Sequence, residues 1–119
     1  MTYFVKLEKF EGPLDLLLSL IEQEELSITD ISLAKVTDGY LTAVRTAKEI
    51  EPEELADFLV IAAKLIFIKS RILLPGLEVE DEGPSLEAQL KLYKDFVEAS
   101  HTIEAMLKKK RFMFGFACN

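Results

Sequence analysis

The sequence predicts an all-α fold. A small domain of three helices, the third one long, follows a short extended arm and precedes an acidic linker and one further amphipathic helix. Three observations predict it. Apolar residues recur at three- and four-residue spacing through four segments. Pro13 and Pro52 stand where two of those segments begin, at the helical position where a missing N–H costs nothing. The segment over residues 53–74 has almost no polar side.

Residues 3–10 alternate Val5 and Leu7 with Lys6 and Glu8, the pattern of a short half-exposed strand. A single strand forms no sheet, so it is expected as a packed arm or as a strand paired outside the chain. Gly12-Pro13 opens the first helix. Leu14, Leu17, Leu18 and Ile21 keep helical spacing, Leu16 and Leu20 widen the face, and Glu22, Glu24 and Glu25 close it. Ile28 and Ile31 cross a turn, and Ser32 is read as the N-cap of the second helix. There Leu33, Val36, Tyr40, Leu41 and Val44 share one face. Gly39 inside that helix costs about 1 kcal/mol relative to alanine.

Pro52 with Glu53 and Glu54 suits the positive end of the third helix dipole. Around its wheel, Glu53, Asp57, Lys64 and Arg71 fall in one narrow stripe. Phe58, Ile61, Leu65, Ile68 and Ile72 lie to one side of it, and Ala56, Val60, Ala63, Phe67 and Leu74 to the other. Leu55, Leu59, Ala62, Ile66 and Leu73 lie opposite. A helix apolar nearly all round must be buried nearly all round, and 119 residues leave few elements to cover it. It is expected to pack on its own domain with one face and on another protein with the other.

Leu74-Pro75-Gly76 stops this helix. Residues 77–84 carry four acids and no base and read as a mobile linker. Ser85 caps a last helix to about Arg111, with Leu86, Leu90, Tyr93, Phe96, Val97, Ile103 and Leu107 as one stripe. Residues 112–119 form an apolar, charge-free, atypical tail.

Little in the chain points to catalysis. The formal net charge of −7 disfavours general affinity for nucleic acid or anionic membrane. His101, the one histidine, sits beside Ser100 and Thr102 without the third group a triad needs. The single Cys118 excludes an intrachain disulfide or a cysteine metal cluster, and fits a reducing compartment. Scattered glycines form no phosphate loop. No cofactor or metal is expected, nor a secretion signal or membrane span: Asp57, Lys64 and Lys69 interrupt the apolar helix. Two competing readings are a helix-turn-helix DNA-binding protein over residues 14–48 and a self-associating helical bundle. Against the first, that span is acidic and offers no helix with several Arg or Asn facing one way.

The segment Phe10-Glu-Gly-Pro-Leu-Asp-Leu-Leu-Leu-Ser-Leu-Ile21 resembles the N-terminal signature of the bacterial kleisins, the segregation and condensation protein A (ScpA) family. The resemblance continues through Ile28-Thr-Asp-Ile-Ser-Leu33 and Val36-Thr-Asp-Gly-Tyr-Leu41. It is strong again from Glu54-Leu-Ala-Asp-Phe through Ile68-Lys-Ser-Arg-Ile-Leu-Leu-Pro75, and looser over Gln89-Leu-Lys-Leu-Tyr-Lys-Asp-Phe96. Ser32 stands where the family commonly has proline, and Gly39 where a helix former is usual. Family members carry a C-terminal winged-helix domain, and none follows here, so the chain is expected to be the N-terminal and partial middle region.

The resemblance implies a non-catalytic subunit of a condensin-like complex that bridges the coiled-coil neck of SMC and a dimer of ScpB in chromosome condensation and segregation. It implies an SMC-neck contact through Phe58, Ile61, Leu65, Ile68 and Ile72, so that a charge at Ile61 or Ile68 would break binding but leave the fold. It implies an ScpB contact through Leu90, Tyr93 and Val97. Residues 1–76 are expected as the neck-binding domain, 77–84 as linker and 85–111 as the start of the ScpB-binding region. No specific nucleic-acid binding and no membrane contact are expected. The location is cytoplasmic, nucleoid-associated through the complex, and the isolated chain is expected to self-associate.

Overall fold

The computed structural model describes residues 10–47, 49–74, 76 and 85–117, with side chains to residue 109. The expected strand over residues 3–10, but for Phe10, and the expected linker over residues 77–84 lie outside them. Among the described residues the chain is all-α: α1 Pro13–Gln23, α2 Asp30–Arg45, α3 Pro52–Leu73 and α4 Leu86–Ala117.

Each start has a local cause. Pro13 opens α1 behind Gly12, whose φ of 145° a side chain would disfavour. The Glu11 N–H donates to the Asp15 carboxylate at 3.1 Å, which ties the first turn to the residue before it. Pro52 opens α3, followed by Glu53 and Glu54. Ser85 caps α4 as expected: its Oγ accepts the Ala88 N–H at 3.1 Å.

The cap of α2 is Thr29, not Ser32. Thr29 is extended, and its Oγ1 accepts the Ser32 N–H at 3.1 Å while its hydroxyl donates to Ser32 Oγ at 3.0 Å. Ser32 is therefore the third helical residue, and it is buried.

The turn after α1 is a Schellman motif. The Leu26 N–H donates to the Ile21 carbonyl at 3.0 Å and the Glu25 N–H to the Glu22 carbonyl at 3.1 Å. Glu25 takes the left-handed position, φ 54°, where glycine is usual.

One core gathers side chains from all four helices. Leu16, Leu17 and Ile21 of α1 meet Leu33, Val36 and Tyr40 of α2, Phe58, Leu65 and Ile68 of α3, and Leu86 and Leu90 of α4. The α2–α3 pairing is the most extensive, with α1 across both and the start of α4 against α1. The last helix runs to Ala117, past the expected end near Arg111, so the first six residues of the atypical tail continue α4.

Candidate functional site

The inward face of α3 carries the residues that the family resemblance implies at the SMC neck. Phe58, Ile61, Leu65 and Ile68 are each 7% exposed or less, packed on α1 and α2. Only Ile72, 37% exposed, reaches the surface. Their burial has a geometric cause: α3 offers two apolar faces about 150° apart on its wheel. The face that carries Phe58 is the one α2 covers.

The opposite face is open. Leu59, Val60, Ile66 and Leu73 are between 48% and 66% exposed. Ala56, Ala63 and Ser70 stand beside them, also exposed. Leu59, Ala63, Ile66, Ser70 and Leu73 follow one another at spacings of four, three, four and three. Large and small residues thus alternate along a ridge of about four turns, a surface into which another helix can settle closely.

Two ion pairs join the C-terminal half of α3 to α2. Lys69 Nζ lies 2.9 Å from Asp38 Oδ1, and Arg71 Nη2 lies 2.8 Å from Asp30 Oδ2. Both pairs are substantially exposed, so each contributes only ~0–1 kcal/mol. The Arg71 guanidinium also lies 5.8 Å from the centre of the Phe67 ring, at the edge of the ridge.

The expected ScpB residues are divided. Leu90 is fully buried in the core, Tyr93 packs against it half-buried, and Val97 is half-buried. Tyr93 lines a cleft of about 360 Å³ between α1, α3 and α4, together with Asp15, Asp57 and Val60. Partial burial, then the charges of Asp15 and Glu11, raise its phenol above the usual tyrosine value. Of the large apolar residues on the described part of α4, to residue 109, Leu92, Phe96, Ile103, Met106 and Leu107 are exposed.

No group of three or more His, Cys, Asp or Glu among the described residues is placed to hold a metal ion. His101 is exposed on α4. Among the described residues no helix is long and apolar enough to cross a membrane. Among the described residues, the outer face of α3 is an exposed apolar ridge.

A residue-pattern model for "Segregation and condensation protein ScpA" matches residues 20–111. A segregation and condensation protein A of Listeria innocua is 41% identical over 120 residues, which cover 92% of this chain and 48% of that protein. One from Bacillus licheniformis is 41% identical over 126 residues, 97% of this chain and 50% of its own length. One from Desulfitobacterium hafniense is 42% identical over 107 residues, 84% of this chain and 41% of its own. The chain spans about half the length of these relatives.

Proposed function

We propose, because the chain belongs to the segregation and condensation protein A family, that it is a non-catalytic kleisin subunit bridging the SMC neck and ScpB in chromosome condensation and segregation. The observation that carries the reading is the outer ridge of α3. A folded domain that leaves Leu59, Val60, Ile66 and Leu73 in water on one helix face has surface to spend on a partner helix. The neck of an SMC protein is a coiled coil, and the alternation of large and small residues suits a third helix laid along it.

The neck contact is therefore reassigned. Leu59, Val60, Ala63, Ile66 and Leu73 meet the coiled coil, and Ile72 touches it from the edge. Phe58, Ile61, Leu65 and Ile68 hold the ridge in place from beneath. The ScpB grip is assigned to α4. Because Leu90 and Tyr93 pack on the domain, they meet ScpB only after α4 lifts from α1. The domain and α4 act as two grips on two partners, with the chemistry of ATP left to SMC.

Co-purification tests the reading. The chain is mixed with an SMC head carrying a short neck coiled coil, and with a headless neck. Retention by both supports it. Failure to retain either, with the chain folded by circular dichroism, would remove it.

A further inference from the structure

We propose that the exposed face of α4 pairs with the same face of a second copy of this chain, antiparallel, as a short two-stranded coiled coil. From Glu98 to Lys109 the helix is exposed on every side, apart from half-buried Ser100. A lone helix of that length is marginal in water. Its outer face is not featureless. Leu92, Phe96, Ile103 and Met106 are between 56% and 71% exposed. With exposed Ala99 they are spaced four, three, four and three, the seam of a heptad repeat. This seam lies about 140° around the wheel from Leu86 and Leu90, which dock α4 on the domain, so one helix can satisfy both faces.

Side-chain size and charge select the occupant and its direction. With the two-fold axis beside residue 101, Phe96 lies against Met106 of the other copy and Ala99 against Ile103. In these two layers a large residue meets a flexible or small one, and Leu92 falls at the end of the paired length, opposite position 110. The same register sets Asp95, at the seam's edge near one end, beside Lys109 of the other copy, and the symmetry makes that pair twice. Both residues are exposed and free to meet. A parallel arrangement would hold Asp95 and the other copy's Lys109 at opposite ends of the seam and lose that pair. The pairing uses none of the α3 ridge, so it is independent of the proposed SMC contact.

Sedimentation equilibrium of the full chain across a wide concentration range tests this. The mass is expected to rise from the 13.5 kDa of one chain to twice that value. Phe96→Ser/Ile103→Ser should stay monomeric with its domain folded by circular dichroism. Asp95→Lys should weaken association at least tenfold, and Asp95→Lys/Lys109→Asp should restore it. Leu59→Ser/Ile66→Ser should dimerise like the parent. A concentration-independent monomer, or a dimer that survives Phe96→Ser/Ile103→Ser, would overturn the proposal. So would a dimer lost in Leu59→Ser/Ile66→Ser, which would place the contact on α3. A parent chain that stays monomeric but needs Phe96 and Ile103 to bind ScpB would assign the face to ScpB and likewise overturn it.

Discussion

The Tyr40 hydroxyl of α2 donates a hydrogen bond of 2.6 Å to the main-chain carbonyl of Phe58 in α3, and the two rings lie 6.4 Å apart, tilted by 32°. A fully buried phenol needs a partner, and here it takes one from the backbone of the neighbouring helix. That bond pins α2 to α3 beneath the ridge and contributes to which face of α3 points outward.

Tyr40→Phe should cost about 1 kcal/mol at neutral pH, measured by urea unfolding. Burial raises the Tyr40 phenol above its ordinary value near 10. The unfolded chain therefore releases this proton at lower pH than the native one. The stabilisation is present below about pH 10 and is lost as pH rises beyond it. Between neutral pH and about pH 10.5 the parent should lose more stability than Tyr40→Phe does. Equal losses would mean that the phenol titrates alike in both states.

Two surface backbone positions should be improvable. Gly39 lies within α2, and an added methyl would sit 3.8 Å from Leu20 Cδ2, an ordinary contact. Gly39→Ala should stabilise by roughly 0.5–1 kcal/mol. Glu25, at φ 54°, strains its Cβ, and Glu25→Gly should relieve about 1 kcal/mol of that strain. Thermal melts read both. A lower melting temperature for Gly39→Ala would show that α2 is closer packed there than the geometry indicates.

The core and the ridge should respond in opposite ways. Leu65→Ala and Leu90→Ala empty fully buried sites and should each cost ~2–5 kcal/mol. Leu59→Ala and Ile66→Ala should change stability by less than about 1 kcal/mol, since their side chains already lie half in water. Glutamate at Ile61 or Ile68 should unfold the domain, not merely abolish binding, because both are core. A folded Ile68→Glu domain would contradict the assignment of the inward face.

Much of this architecture is legible in the sequence, and its failures have physical reasons. Pro13, Pro52 and Ser85 mark helix starts because proline and serine have few other uses there. Thr29 and Ser32 are both capping residues three apart, so composition alone does not rank them. The inward face of α3 was illegible for a deeper reason. A helix without a polar side gives the wheel nothing to point with, and both apolar faces keep heptad spacing. The alternation of Leu59, Ile66 and Leu73 with Ala63 and Ser70 was the available signal for a close-packing outer face. On α4 the helical spacing predicts one stripe where the structure has two: Leu86, Leu90 and Tyr93 turn to the domain, while Phe96, Ile103 and Leu107 turn away from it.

The most direct test of the docking ridge is the affinity of the chain for an SMC neck coiled coil, by calorimetry, for the parent and for Leu59→Ser/Ile66→Ser. Truncating two central contacts at about 1–2 kcal/mol each predicts a loss of roughly thirty- to several-hundredfold, with the circular dichroism spectrum unchanged. An unaltered dissociation constant in the folded double variant would contradict the ridge as the docking surface.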